Sequence, residues 1–176
     1  MAIYFPRGFN SGEPVRVVGG ITVVRGKLAK QHVDLVVIGA ERGLLGGPKG
    51  KGAAAARAVL RAAGDGAARA LSERPRAPGS LHLLPAGKLG CRMLGFFERP
   101  GTDPSTESAA SCIRRIAEVA ARNGAKEVAI GPFGADPEAA VELARVLRDR
   151  HGAARPDEPR WVLVVSSRSQ FEAATR

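Results

Sequence analysis

The chain is poor in the residue types from which catalytic and metal centres are usually built. Its 176 residues include two cysteines, Cys91 and Cys112, and three histidines. The cysteines show no CxxC spacing, so neither a disulfide framework nor a zinc site is expected, and both read as small core residues in a reducing compartment. Acidic residues are scarce beside basic ones, 17 against 27, for a formal net charge of +10. No window approaches the ~18 apolar residues of a membrane-spanning helix. The start, Met1 to Arg7, lacks the charged opening and long apolar stretch of a signal peptide. These absences lead to the expectation of a cytoplasmic protein with no membrane partner, no metal and no cofactor.

The chain does have enough apolar material for a core, 44% of its residues, and one compact domain over residues 1–176 is the simplest expectation. The basic excess suits a polyanionic partner, either nucleic acid or an acidic protein. Arginines outnumber lysines by 21 to 6. That bias also fits a GC-rich genome, so charge alone does not decide the partner.

The most informative stretch runs from Ile21 to Gly64. Val33 to Ile38 is a short, nearly continuous apolar run rich in β-branched residues, as expected of a central strand covered on both faces. Next come Gly39 to Gly52, with six glycines and three basic side chains in fourteen residues, and then the helix-favouring run Ala53 to Ala63. A glycine-rich loop opening a helix brings backbone N–H groups close to an anion. Any small anionic ligand is therefore expected here.

The rest alternates between strands and helices. Val15–Val18 and Ile21–Arg25 read as paired strands around Gly19-Gly20, and Leu81–Pro85 and Met93–Phe97 as two more, with a short helix over Ala67–Glu73. Asp103-Pro104 and Asp136-Pro137 each read as a helix start, with Asp as cap and Pro at the first helical position. In the second helix Ala140, Val141, Leu143, Ala144 and Leu147 are expected to face the sheet. Between the helices, Glu127–Ile130 is a strand ending in the turn Gly131-Pro132-Phe133-Gly134, and Arg160–Val165 is a last strand. The alternation predicts an α/β sandwich with a mixed, largely parallel sheet. In such sheets ligands sit outside the carboxyl ends of the strands, so the loop after Ile38 and the turn after Ile130 are expected to wall one cleft.

The order of these motifs resembles the macro domain family. Val24-Arg25-Gly26-Lys27-Leu28 is similar to that family's V-x-G-D-I, and Val33 to Glu41 to its V-D-A-I-V-N-A-A-N. Gly43 to Ala53 is similar to S-L-L-G-G-G-G-V-D-G-A-I, and Arg61-Ala62-Ala63-Gly64 to the helix end. The resemblance implies a three-layer α/β/α sandwich. It also implies a site for ADP-ribose, a related nucleotide or a phosphate-rich polymer at Gly39, Ala40, Gly46, Gly47, Lys49, Gly50, Lys51 and Gly52, faced by Gly131, Phe133 and Gly134. Phe133 is either a stacking partner or a core residue.

Several family positions are altered. The Asp that receives the adenine amino group is Lys27, which offers only donors. The Asn closing N-A-A-N is Glu41, and the Asp associated with hydrolysis in some members is Lys51. The second phosphate loop is reduced to Gly131–Gly134. ADP-ribosyl hydrolase activity is therefore not expected, and the resemblance implies a non-catalytic binding module. Gly79–Lys88 and Glu107–Val128 are also similar to the N-terminal domain of leucine aminopeptidases, whose metal-binding domain has no counterpart in these 176 residues. That relationship implies an interaction module with a vestigial pocket, docking on nucleic acid or an acidic protein.

Overall fold

Each central strand buries both of its faces, which is why the sequence shows apolar runs there and not alternation. In the strand Leu35–Glu41, Leu35 and Val37 enter one hydrophobic core while Val36 and Ile38 enter a second. In Arg160–Val165, Trp161, Leu163 and Val165 side with the first core and Val162 and Val164 with the second. The computed structural model describes residues 13–41, 54–73, 80–99, 108–152, 156 and 158–176. The strand candidate at Ala2–Phe5 and the Asp103-Pro104 cap lie outside them.

In chain order the elements are β1 (Val15–Val18), β2 (Ile21–Arg25), a 3-10 turn (Leu28–Lys30), β3 (Leu35–Glu41), α1 (Ala54–Ala63), α2 (Asp65–Ser72), β4 (Leu81–Leu84), β5 (Met93–Arg99), α3 (Ala109–Arg122), β6 (Glu127–Ile130), α4 (Pro137–Gly152), β7 (Arg160–Val165) and α5 (Arg168–Ala174). They build a seven-stranded sheet of order β1-β2-β7-β6-β3-β5-β4. The five inner strands run parallel, and β1 and β4 close the edges antiparallel. Residues of α1 and α2 share one core, and residues of α3, α4 and α5 the other, so the sheet is the middle of three layers.

Helices α3 and α4 follow their sequence signals, with two differences. The Asp136 carboxylate accepts from the Ala139 N–H at 2.7 Å, capping α4 as its Asp-Pro start predicts. Helix α3 begins later than Asp103-Pro104 would place it, at Ser108, whose Oγ accepts from the Ser111 N–H at 3.3 Å. In α4 Val141 is 42% exposed, contrary to expectation, and Val146 takes an inward place. The apolar stripe winds one residue further round the helix than its first turn suggests.

Two joints fix the lower, strand-starting end of the sheet. Asp34 Oδ2 accepts from the N–H groups of Lys126 at 2.6 Å and Glu127 at 3.1 Å, and its carbonyl accepts from Arg92 and Met93, which ties β3 to both neighbours. Gly87 has φ +59°, and a Cβ there would lie 1.9 Å from the Ala63 carbonyl oxygen, so only glycine lets this turn reach the end of α1. Cys91 and Cys112 are both buried and free, and burial pushes the Cys91 thiol up in pKa, which makes it packing and not a thiolate nucleophile.

Candidate functional site

The chain leaves β2 for β3 across a gap in the sheet that β7 and β6 later fill. Around that gap helices pack on both faces of the sheet, α1 on one and α4 and α5 on the other. Loops above such a point diverge and leave a crevice at the strands' carboxyl ends. A pocket of about 380 Å³ is found there, within the usual range for small-molecule sites of roughly 300–1,000 Å³.

Four segments wall the pocket. The loop after β2 supplies Gly26, Lys27, Leu28 and Ala29, and the first turns of α1 supply Ala54, Ala55 and Ala58. The turn after β6 supplies Gly131, Pro132, Gly134 and Ala135, and the end of β7 with α5 supplies Val164, Ser166 and Gln170. Small residues predominate, so the walls come close to bare backbone and leave room for a flat ligand. The N–H groups of the first turn of α1 have no intrahelical partner, and that end of the helix carries its positive dipole.

Gln170 braces two of these walls. Its backbone N–H donates to the Ser167 Oγ at 3.1 Å, the cap of α5. Its side-chain Nε2 donates to the carbonyls of Gly134 at 3.3 Å and Asp136 at 3.2 Å. Helix α5 thus holds the turn over the mouth of β6. Gly26 is held similarly, its N–H donating to the Val165 carbonyl at 2.9 Å.

Of the residues singled out in the sequence, Gly131 and Gly134 line the pocket. Gly39 and Ala40 lie near the end of β3, opposite Phe97 and Glu98 of β5. Phe133 is not among the lining residues. Its ring packs on Phe97, with centroids 6.3 Å apart and planes at 29°, about 3.7 Å from where a Gly39 Cβ would be. Gly46, Gly47, Lys49, Gly50, Lys51 and Gly52 lie outside the described residues. Lys27, where the family resemblance places an adenine-binding Asp, lines the pocket. Sequence reasoning missed the α1 wall with Ala54, Ala55 and Ala58, and the β7–α5 wall with Val164, Ser166 and Gln170.

Solved macrodomain structures share this architecture. The Oceanobacillus iheyensis macrodomain with ADP superposes with a TM-score of 0.70 at 18% identity, over 93% of each chain. The fold is that of a macrodomain. A variant of that bacterial protein with ADPR gives 0.68 at 16% identity, covering 93% of this chain and 95% of its own. The Trypanosoma brucei macrodomain in complex with ADP gives 0.68 at 18%, covering 89% of this chain and 68% of its own. No protein-family model and no curated protein sequence matches the chain. Within this macrodomain fold, the described residues include no helix able to cross a membrane and no cluster of side chains able to hold a metal ion.

Proposed function

We propose that this protein is a binding module for ADP-ribose or a closely related nucleotide, which it holds in the pocket above β2, β7 and β6. The observation carrying this reading is the position and size of that pocket, at the carboxyl ends of the parallel strands and beside the start of α1, in a fold shared with structures that contain ADP. In the sequence, the glycine- and lysine-rich segment from Gly39 to Gly52 precedes α1 and carries cations and glycine backbone amides of the kind a diphosphate needs. The non-catalytic part of the reading rests on the lining residues. None of them is a carboxylate, imidazole or thiol, so among the described walls Lys27 is left as the one candidate base. Titration calorimetry with ADP-ribose and ADP is the test, and absence of heat at millimolar ligand overturns the proposal.

The double replacement Lys49→Glu with Lys51→Glu is expected to weaken ADP-ribose binding by about tenfold or more, the loss of one charge-assisted contact. Unchanged affinity would show that the loop takes no part.

A second reading is favoured by the opposite end of the sheet. Lys88, Arg92, Arg122 and Lys126 are exposed around it. Three acids there are engaged: Asp34 by two backbone amides, Glu127 by Arg160 at 3.5 Å, and Glu158 by Arg150. This rim suits a nucleic-acid backbone. Contact with four phosphates gives an affinity for single-stranded RNA that falls about fiftyfold between 50 and 200 mM salt. A gel-shift series showing no complex at low salt removes this reading.

A further inference from the structure

We propose that Gln170 is the specificity-determining residue of the pocket: its side-chain oxygen accepts a hydrogen bond from an exocyclic amino group on the base, which selects a 6-aminopurine nucleotide. This inference rests on the nucleotide-binding reading above.

The argument begins with the amide's orientation. Gln170 is 3% exposed, yet lines the pocket. Both hydrogens of its Nε2 can be spent on the Gly134 and Asp136 carbonyls, and a reversed amide would set oxygen against those two oxygens. The side-chain oxygen is therefore fixed as well. It accepts from no described residue, and it is not among the polar atoms sealed away from solvent without a partner. Because Gln170 lines the pocket, a ligand bound there is the partner left for this oxygen.

A pre-oriented, nearly buried acceptor narrows what can lie against it. Phosphate oxygens are acceptors themselves at neutral pH, so this is not the phosphate end of the pocket. The surrounding walls, Leu28, Ala29, Pro132, Ala135 and Val164, are apolar and fit the face of a planar base better than ribose hydroxyls. Lys27, which lines the same pocket, can only donate. An acceptor and a donor together match the edge of a 6-aminopurine, which presents N–H beside ring-nitrogen acceptors. A 6-oxo purine would place oxygen against oxygen.

The test compares ADP-ribose with its analogue carrying hydrogen in place of the 6-amino group, by calorimetry on the wild-type protein and on Gln170→Leu. The wild type is expected to prefer ADP-ribose by about tenfold, since the analogue leaves the buried oxygen unpaired. In Gln170→Leu the two ligands should bind alike, and ribose 5-phosphate should bind as it does to the wild type. Equal affinities in the wild type overturn the inference without any variant. A preference retained in Gln170→Leu, or an equal loss for both ligands, also overturns it by reducing Gln170 to a brace for the turn. If the wild type binds neither nucleotide, the binding-module reading fails with it.

Discussion

An Ala58→Trp variant is expected to lose nucleotide binding by roughly a hundredfold or more, about 2.7 kcal/mol, while keeping its fold. Ala58 lies on the exposed face of α1 and lines the pocket, whereas Ala56, Val59 and Ala63 carry the helix's inward stripe. An indole at position 58 projects into a space of about 380 Å³ walled mostly by glycine and alanine, and takes up room that a base or ribose would need. The local cost is small, about half a kcal/mol of helix propensity, and no buried group is displaced. Ala62→Trp is the control. It is exposed on the same helix, one turn further from the mouth, and is not a lining residue. Calorimetric titration of both variants, with circular dichroism to check folding, decides the matter. If Ala58→Trp binds ADP-ribose as the wild type does, the ligand sits elsewhere.

The sheet was legible because its signal is redundant. A strand packed on both faces must be apolar at every position, and Leu35 to Ile38, Val128 to Ile130 and Trp161 to Val165 all are. Length and turn residues then distinguish them from helices. The last helix, α5, was not read from the sequence although it carried a signal. Ser167-Arg168-Ser169-Gln170 has the S-x-x-Q pattern of a capping box. The Ser half of the box forms, but Gln170 turns away from its own helix to bond Gly134 and Asp136, a tertiary use that no local rule reveals. The site was legible to the same extent. Glycine composition marks where backbone can approach a ligand, which pointed to Gly131 and Gly134. It says nothing about Val164 or Ala58, which reach the pocket because of where their strand and helix end.

Charge illustrates a related limit. A net +10 read from composition cannot say where the cations lie, and in the fold they are divided by the acids that meet them. Arg150 and Arg160 are matched by Glu158 and Glu127, and Arg145 by Asp149 at 3.3 Å on an exposed helix turn, where such a pair contributes little. Arg92 reaches the Asn123 and Gly124 carbonyls at the end of α3, so part of its charge serves the helix terminus. What remains for a partner is a smaller set than the composition suggests, and Lys88, Arg122 and Lys126 of that set are exposed at the end of the sheet away from the pocket.

The largest loss of stability at a position that also supports the site is expected from Phe97→Ala. Phe97 is fully buried on β5, paired across the sheet with Gly39 on β3 and Leu81 on β4, and it packs with α3 in the larger core. Emptying such a position costs about 3–5 kcal/mol, from lost transfer energy and the cavity left behind, and lowers Tm by on the order of 10 °C. The effect extends to the pocket because the Phe97 ring is the surface on which Phe133 rests, and Phe133 lies between the lining residues Pro132 and Gly134. Gln170 holds that turn from one side and the Phe97–Phe133 contact supports it from the other, so the loss of Phe97 loosens it. Phe97→Leu keeps most of the apolar volume and is expected to cost less than about 1.5 kcal/mol. Scanning calorimetry of the two variants separates packing from backbone damage. A Tm for Phe97→Ala within a degree or two of the wild type would mean that this core collapses to fill the space, and that the turn over β6 does not depend on it.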